Sequence, residues 1–314
     1  MNTVVRSRQI WAGGAALAVG TAVGAGALLS TAPSAAATPT APDHVVIAME
    51  ENHDLSQIIG NPAAPYINSL ASQGVLYTDD TGKTHPSLPN YLDLYSGSTQ
   101  GVTDDNCISS SANNLGVAIG AKVFDEDQGV CKHDAAENFT NTAGLSVPFS
   151  QFPADFTLLP KVSFVTPNLN DDMHDGTIQQ GDSWLQAHLG AYQTWAQTHN
   201  SVFVLVFDEN SSDTNLTVPL TQIITGQGIA PSSQSAHVGH ENLLRTVEDW
   251  YSLPLLGGSA TAADLPGVPM PWSGVSSPPP STTSPSASPT PSTSSSSPTP
   301  TPTPIKRHGH GRWW

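Results

Sequence analysis

Short apolar runs alternate with helix-period stretches through the middle of the chain. His44 to Met49 and Val202 to Phe207 are continuous apolar runs rich in β-branched residues, the pattern of strands buried on both faces. Val75 to Thr78, Lys161 to Thr166 and Val218 to Thr225 predict three more strands. Pro65 to Gln73 carries Tyr66, Ile67 and Leu70 at helical spacing and stops at Gly74. Leu88 to Tyr95 predicts a helix ended by Gly97, with Ser87 at or near its start. Ser183 to Thr198, with Trp184, Leu185, Leu189, Tyr192 and Trp195, is the clearest amphipathic helix, and Glu241 to Tyr251 is the last. Asp104 to Ser146 is polar and irregular, read as an insertion over one end of the sheet. Strands alternating with helices predict an α/β fold with a mostly parallel sheet and helices on both faces.

The ends differ from this core. Arg6 and Arg8 precede an apolar Ala/Gly-rich run from Ile10 to Leu29, followed by Ser34 to Ala37, which describes a signal peptide over 1–37; an uncleaved anchor is the other reading. From Ser276 to Pro304 the chain is almost only Ser, Pro and Thr, so residues 273–305 are expected to form a disordered tail. Residues 306–314 are basic and aromatic. They fit loose association with an anionic cell envelope, or a solubilising end without a partner.

Between them, 43–272 reads as one catalytic-size domain. It holds all 26 acidic residues and five basic ones, a net charge of −21. That balance excludes nucleic acid as a partner, but admits a small phosphate ester if a cation reverses the local field. Cys107 and Cys131 are the only cysteines, an even pair that predicts one disulfide in an exported protein.

Chemistry concentrates where the apolar runs stop. Glu51-Asn52 follows the first run and Asp208-Glu209 follows Phe207, at the strand ends where ligands bind in open α/β sheets. Carboxylate and amide oxygens are the donors a hard divalent cation takes. Thr84 to Tyr91 places Ser87 before a helix, where free backbone N–H groups favour an anion. A Ser hydroxyl attacks phosphorus only when its pKa is lowered, which a cation would do. His174, between Asp172 and Asp175, is a candidate for a second cation or for general acid. Asp182 and Ser183 read as caps of the following helix, with Asp171 starting a turn. His240, ahead of the last helix, would hold metal or donate to a phosphate oxygen, with His237 as a rival. His85, His133, Asn90, Asp172 and Asp175 complete the candidate substrate pocket.

Taken in order, these motifs resemble the acid phosphatase/phospholipase C type phosphoesterase family of the alkaline phosphatase superfamily. The resemblance rests on Glu51-Asn52, His85 to Tyr91, Pro167-Asn168, Asp172 to Asp175, Gly181 to Leu185, Phe207 to Glu209 and His240 to Asp249. It implies a three-layer α/β sandwich and a metal-bound nucleophile passing through a phosphoserine. Glu51, Asn52, Ser87, Asp208 and Glu209 would be the metal set, with His174 and His240 around the phosphate. The chain departs from the family at Lys132 to Ala135, where the family has His followed by Asn and Pro.

The expected activity is therefore a secreted, divalent-metal-dependent phosphomonoesterase acting on a small phosphate ester. Two alternatives stand beside it: a phosphodiesterase of the phospholipase C kind, and a non-catalytic, cation-stabilised surface module on a Ser/Pro/Thr stalk.

Overall fold

The computed structural model describes residues 40–212 and 214–272. The expected leader over 1–37 and the segments 273–305 and 306–314 lie outside the described residues. Strand β1 (His44–Glu50) leads through the short helix α1 (Leu55–Ile58) to α2 (Pro65–Gln73), β2 (Val75–Thr81) and α3 (Ser87–Ser96). Next come α4 (Leu115–Ile119), β3 (Lys122–Asp125), β4 (Ser146–Pro148) and β5 (Val162–Thr166). The long α5 (Ile178–Ala196), β6 (Ser201–Phe207), β7 (Leu220–Gly226), β8 (Ser232–Gln234), β9 (Val238–Gly239) and α6 (His240–Tyr251) complete the order.

The strands form one sheet in the order β4-β3-β5-β1-β6-β7-β2-β8, with β9 beside β2. Only β7 runs against the others, pairing antiparallel with β6 and with β2. Alternate residues of the central strands serve opposite layers. Val45, Ile47 and Met49 join Val202, Val204 and Val206 under α3 and α6, against Leu92, Tyr95, Leu244 and Trp250. Val46 and Ala48 join Phe203, Leu205 and Phe207 under α2 and α5, against Ile67, Leu185 and Tyr192. This is the expected three-layer sandwich, and burial on both faces is why β1 and β6 read as unbroken apolar runs.

Two expectations need correction. The segment 104–146 is more than an insertion. Its Lys122–Asp125 pairs parallel with β5, and Ser146–Pro148 pairs with it in turn, so it builds the sheet's edge. The expected disulfide, Cys107–Cys131, is present within it.

The second correction concerns Asp182. Helix α5 begins five residues before Ser183, with Thr177 as N-cap accepting from the Gln180 N–H. Asp182 lies inside that helix and its carboxylate accepts from the backbone N–H groups of Tyr66 (3.1 Å) and Ile67 (2.8 Å). It caps α2, whose own N-cap, Ala64, has no side-chain acceptor. Asp182→Ala is expected to destabilise the protein by about 1–2 kcal/mol, the usual cost of losing a cap. Thermal melting checks this; an unchanged melting temperature would contradict it. The nearby turn likewise starts at Asn168, whose side chain accepts from Asn170 and Asp171, and not at Asp171.

Candidate active site

Three chain segments meet beyond the carboxyl ends of β1, β5 and β6. The Glu51 N–H donates to the Asp172 carbonyl (2.9 Å), and the Asp208 N–H to the Glu50 carbonyl (3.0 Å). Glu50, still on β1, follows Val46 and Ala48 toward the α2/α5 layer; burial first, then Asp172, pushes its carboxyl well above the usual range. Glu51 is left to the site. Asn52 turns the chain through φ +59°, a left-handed conformation Asn tolerates better than most residues. That turn aims its N–H at Asp208 Oδ1, 3.2 Å away.

Glu51 is the hub. Its carboxylate accepts from Ser87 Oγ–H at 2.9 Å and from Tyr91 O–H at 2.6 Å. His133 Nε2 stands 3.2 Å from the same group, and His133 Nδ1 is 3.2 Å from Asp172. The His133 ring also stacks on Tyr91, centroids 5.3 Å apart. Burial works against a charged imidazole here, but Glu51 and Asp172 outweigh it and push His133 up to about 10. Burial likewise works against an ionised Glu51, and His133 with the hydroxyl donors overcomes it, holding Glu51 at about 2.

Asp208 is less well compensated, since His133 and the Asn52 N–H oppose its burial only in part. Burial first, then the charges of Glu51 and Glu209, raise it well above the usual carboxylate range. Its Oδ2 is buried without a hydrogen-bond partner. Three neighbouring carboxylates and an orphaned buried oxygen fit a hard divalent cation, which would offset the repulsion that His133 and the hydrogen-bond donors leave. The ligand atoms of Glu51, His133 and His174 also lie within 4.8 Å of one another, close enough for a metal ion. The two ring nitrogens of His133 face Glu51 and Asp172, so a cation held by it would replace one of these contacts.

Ser87 begins α3, but this helix start is less open to an anion than expected. The Leu88 N–H donates to Asp105 Oδ1 at 3.0 Å, and Pro89 has no N–H. Asp105, absent from the sequence reading, therefore caps α3, the helix that Ser87 begins; only its place in a loop 17 residues downstream hid it. Asn90, expected on the phosphate, is fully engaged in positioning. Its Oδ1 accepts from the Lys83 and Thr84 N–H groups, and its amide donates to the Thr84 carbonyl and to Glu209 Oε2 at 3.1 Å. His85 Nδ1 lies 3.1 Å from the same Glu209 oxygen. Gly82 is required for this approach, because a Cβ there would stand 2.7 Å from the Asp208 carbonyl oxygen.

The two remaining histidines have defined tautomers. His174 accepts at Nε2 from the Lys132 ammonium (2.9 Å) and donates from Nδ1 to Asp175 (2.8 Å), while its backbone N–H donates to Asp172 (2.8 Å). The nitrogen facing Lys132 thus carries a lone pair. His240 donates from Nε2 to the Phe207 carbonyl at 3.1 Å, which leaves Nδ1 as a buried lone pair without a partner. Burial lowers its pKa, so it stays neutral. Of the two uses read for His240, cation ligand and phosphate donor, this tautomer suits the first. His237 is exposed and turns to Asp79, 3.4 Å away.

Comparison with known proteins agrees with this geometry. A profile of the phosphoesterase family matches residues 131–244, a stretch that holds His133, Asp172, His174, Asp208, Glu209 and His240. The chain is 38% identical to a phosphatidylinositol-3-phosphatase of Mycobacterium tuberculosis over 76% of its own length and 87% of that protein. It is 26% identical to an acid phosphatase of Aspergillus fumigatus, of which it spans 51%. Among solved structures, a protein of the alkaline phosphatase superfamily from Vibrio parahaemolyticus shares the fold, with 11% identity, 67% of each chain covered and a TM-score of 0.50. With these carboxylates at its strand ends and a relative this similar over most of both chains, the protein belongs to the phosphoesterase family and hydrolyses phosphoric esters.

Proposed function

We propose that the protein is an exported phosphomonoesterase in which Ser87 attacks phosphorus and carries the phosphoryl group as a phosphoserine. Glu51, Asn52, Ser87, Asp208 and Glu209 would hold a divalent cation, with the His240 Nδ1 lone pair a further donor. The single observation that carries the reading is the Ser87–Glu51 contact beside Asp208, whose buried Oδ2 has no partner. Bound there, a divalent cation would lower the serine pKa and neutralise phosphate charge.

The protein's own groups do the rest. Glu51 and Tyr91 fix the α3 start, and Asp105 caps it, so Ser87 Oγ is held for in-line attack. Cleavage of the ester P–O bond leaves charge on the departing alkoxide. That oxygen takes its proton from solvent water, and His174, held by Asp175 through Nδ1–H and by the Lys132 ammonium at Nε2, would orient the transfer. Water then attacks the phosphoserine by the reverse path and releases phosphate.

The names of the relatives, a phosphatidylinositol-3-phosphatase and acid phosphatases, support a monoester over the diester alternative. Export rests on the leader pattern at 1–37; among the described residues no helix is long and apolar enough to cross a membrane. The test is hydrolysis of a chromogenic phosphomonoester before and after chelation. Activity lost on chelation and restored by one divalent ion is expected. Full activity after exhaustive chelation would remove the cation from the account.

A further inference from the structure

Lys132 is held differently from Lys83, Arg245 and Lys161. Lys83 donates to Glu241 at 2.6 Å, Arg245 to Asp249 at 2.7 Å, and Lys161 lies over the Tyr251 ring, 5.7 Å from its centroid. The Lys132 ammonium instead meets a neutral acceptor, His174 Nε2, at 2.9 Å. His174 returns no negative charge, because its other nitrogen already donates to Asp175. An ammonium has three N–H donors and no acceptor, so two remain for another partner.

Its position is fixed on the site's rim. The preceding residue, Cys131, is bonded to Cys107, and its carbonyl accepts from Asn138 Nδ2 at 2.7 Å. The following residue, His133, bridges Glu51 and Asp172. The His133 and His174 rings lie 5.5 Å apart, and Glu51, within 4.8 Å of both, accepts from Ser87. Lys132 therefore stands beside His174, on the rim of the site in which Glu51 accepts from Ser87.

We infer that Lys132 reads the second negative charge of the phosphoryl group and so selects phosphomonoester dianions over diester monoanions. The inference rests on the phosphoserine reading above and deepens it. A monoester presents three non-bridging oxygens sharing two charges, a diester two sharing one. A unit positive charge at the rim attracts the first about twice as strongly as the second. In a domain of net charge −21, it would also add to the bound cation in opposing repulsion of an incoming dianion.

The experiment compares Lys132→Met, which keeps the stem without the charge, and Lys132→Arg, which keeps the charge. Both are made in the full chain and assayed with a divalent ion on p-nitrophenyl phosphate and bis(p-nitrophenyl) phosphate. In Lys132→Met the ratio of monoester to diester kcat/KM is expected to fall about a hundredfold, equal to about 2.7 kcal/mol at 1.36 per decade. The Ki of inorganic phosphate should rise at least tenfold, and Lys132→Arg should recover most of both. Equal losses on the two esters, or no loss, would overturn the inference. Should Lys132→Met melt early, Lys132→Gln and Lys132→Arg give the same comparison. If the wild type hydrolyses neither ester, the phosphomonoesterase reading falls. Calorimetric binding of inorganic phosphate then still decides Lys132: tighter binding to wild type and Lys132→Arg than to Lys132→Met supports it, and equal binding overturns it.

Discussion

Ser87→Ala is expected to lower monoester turnover at least about a thousandfold, the scale on which loss of a covalent nucleophile is felt when the rest of a site is intact. The fold should survive. Ser87 supplies one of several donors to Glu51, and Tyr91 and His133 stay in place when its hydroxyl is gone. The melting temperature should fall by no more than about 4 °C, since loss of one hydrogen bond among several is worth about 1 kcal/mol. Ser87→Thr keeps an oxygen at the helix start and should retain a measurable part of the rate. A variant that folds normally and keeps near-wild-type turnover would return the surface-module reading to the front.

Asp208→Asn should move activity and stability in opposite directions. The carboxylate is fully buried, faces Glu51 and Glu209, and leaves Oδ2 without a partner. Its pKa is raised in the folded chain, so the folded state binds more protons than the unfolded one above the ordinary carboxylate value. Stability from this group is present below that value and is lost as pH rises toward the raised one. In chelator at neutral pH the charge therefore costs stability, and the neutral amide should raise the melting temperature by several degrees, about 2–4 °C per kcal/mol of relieved repulsion. With a divalent ion added, wild type should gain more heat stability than Asp208→Asn, because binding to the folded state stabilises it by mass action. Turnover should fall by roughly three orders of magnitude in the variant. A variant less stable than wild type in chelator would show that Asp208 is satisfied by protein alone.

The central strands and the first set of site residues were legible for one physical reason. β1 and β6 are covered on both faces, so their sequences are unbroken apolar runs, and Glu51 and Asp208 stand out where those runs stop. β3 and β4 were not legible: four and three residues at a sheet edge carry too little pattern to separate from loop. Helix α5 was placed five residues late because its first turn, Ile178 to Gly181, is mostly polar and its cap is Thr177. Asp182 looked like a local cap because nothing in a linear sequence shows the α2 terminus packed against it.

Within the site, the residues missed are those whose roles come from long-range contacts. Asp105 caps α3 across a loop, and Tyr91 reaches Glu51 from one helical turn below Ser87. Lys132 meets His174 over a separation of 42 residues. The signal for Lys132 was present only as a cation beside His133 in a domain nearly without cations. The contacts of Asn90 and His174 were not legible for the same reason, since a tautomer or an amide's partners follow from neighbours in space.

The most direct measurement is to stop the reaction of the wild-type protein in acid during turnover of a phosphomonoester and map phosphate on the peptides by mass spectrometry. The account expects one phosphate on the peptide spanning Thr84 to Tyr91, at Ser87, absent from Ser87→Ala and discharged when substrate is chased with buffer. Steady turnover with no covalent phosphate at Ser87, or phosphate on a histidine instead, would contradict it.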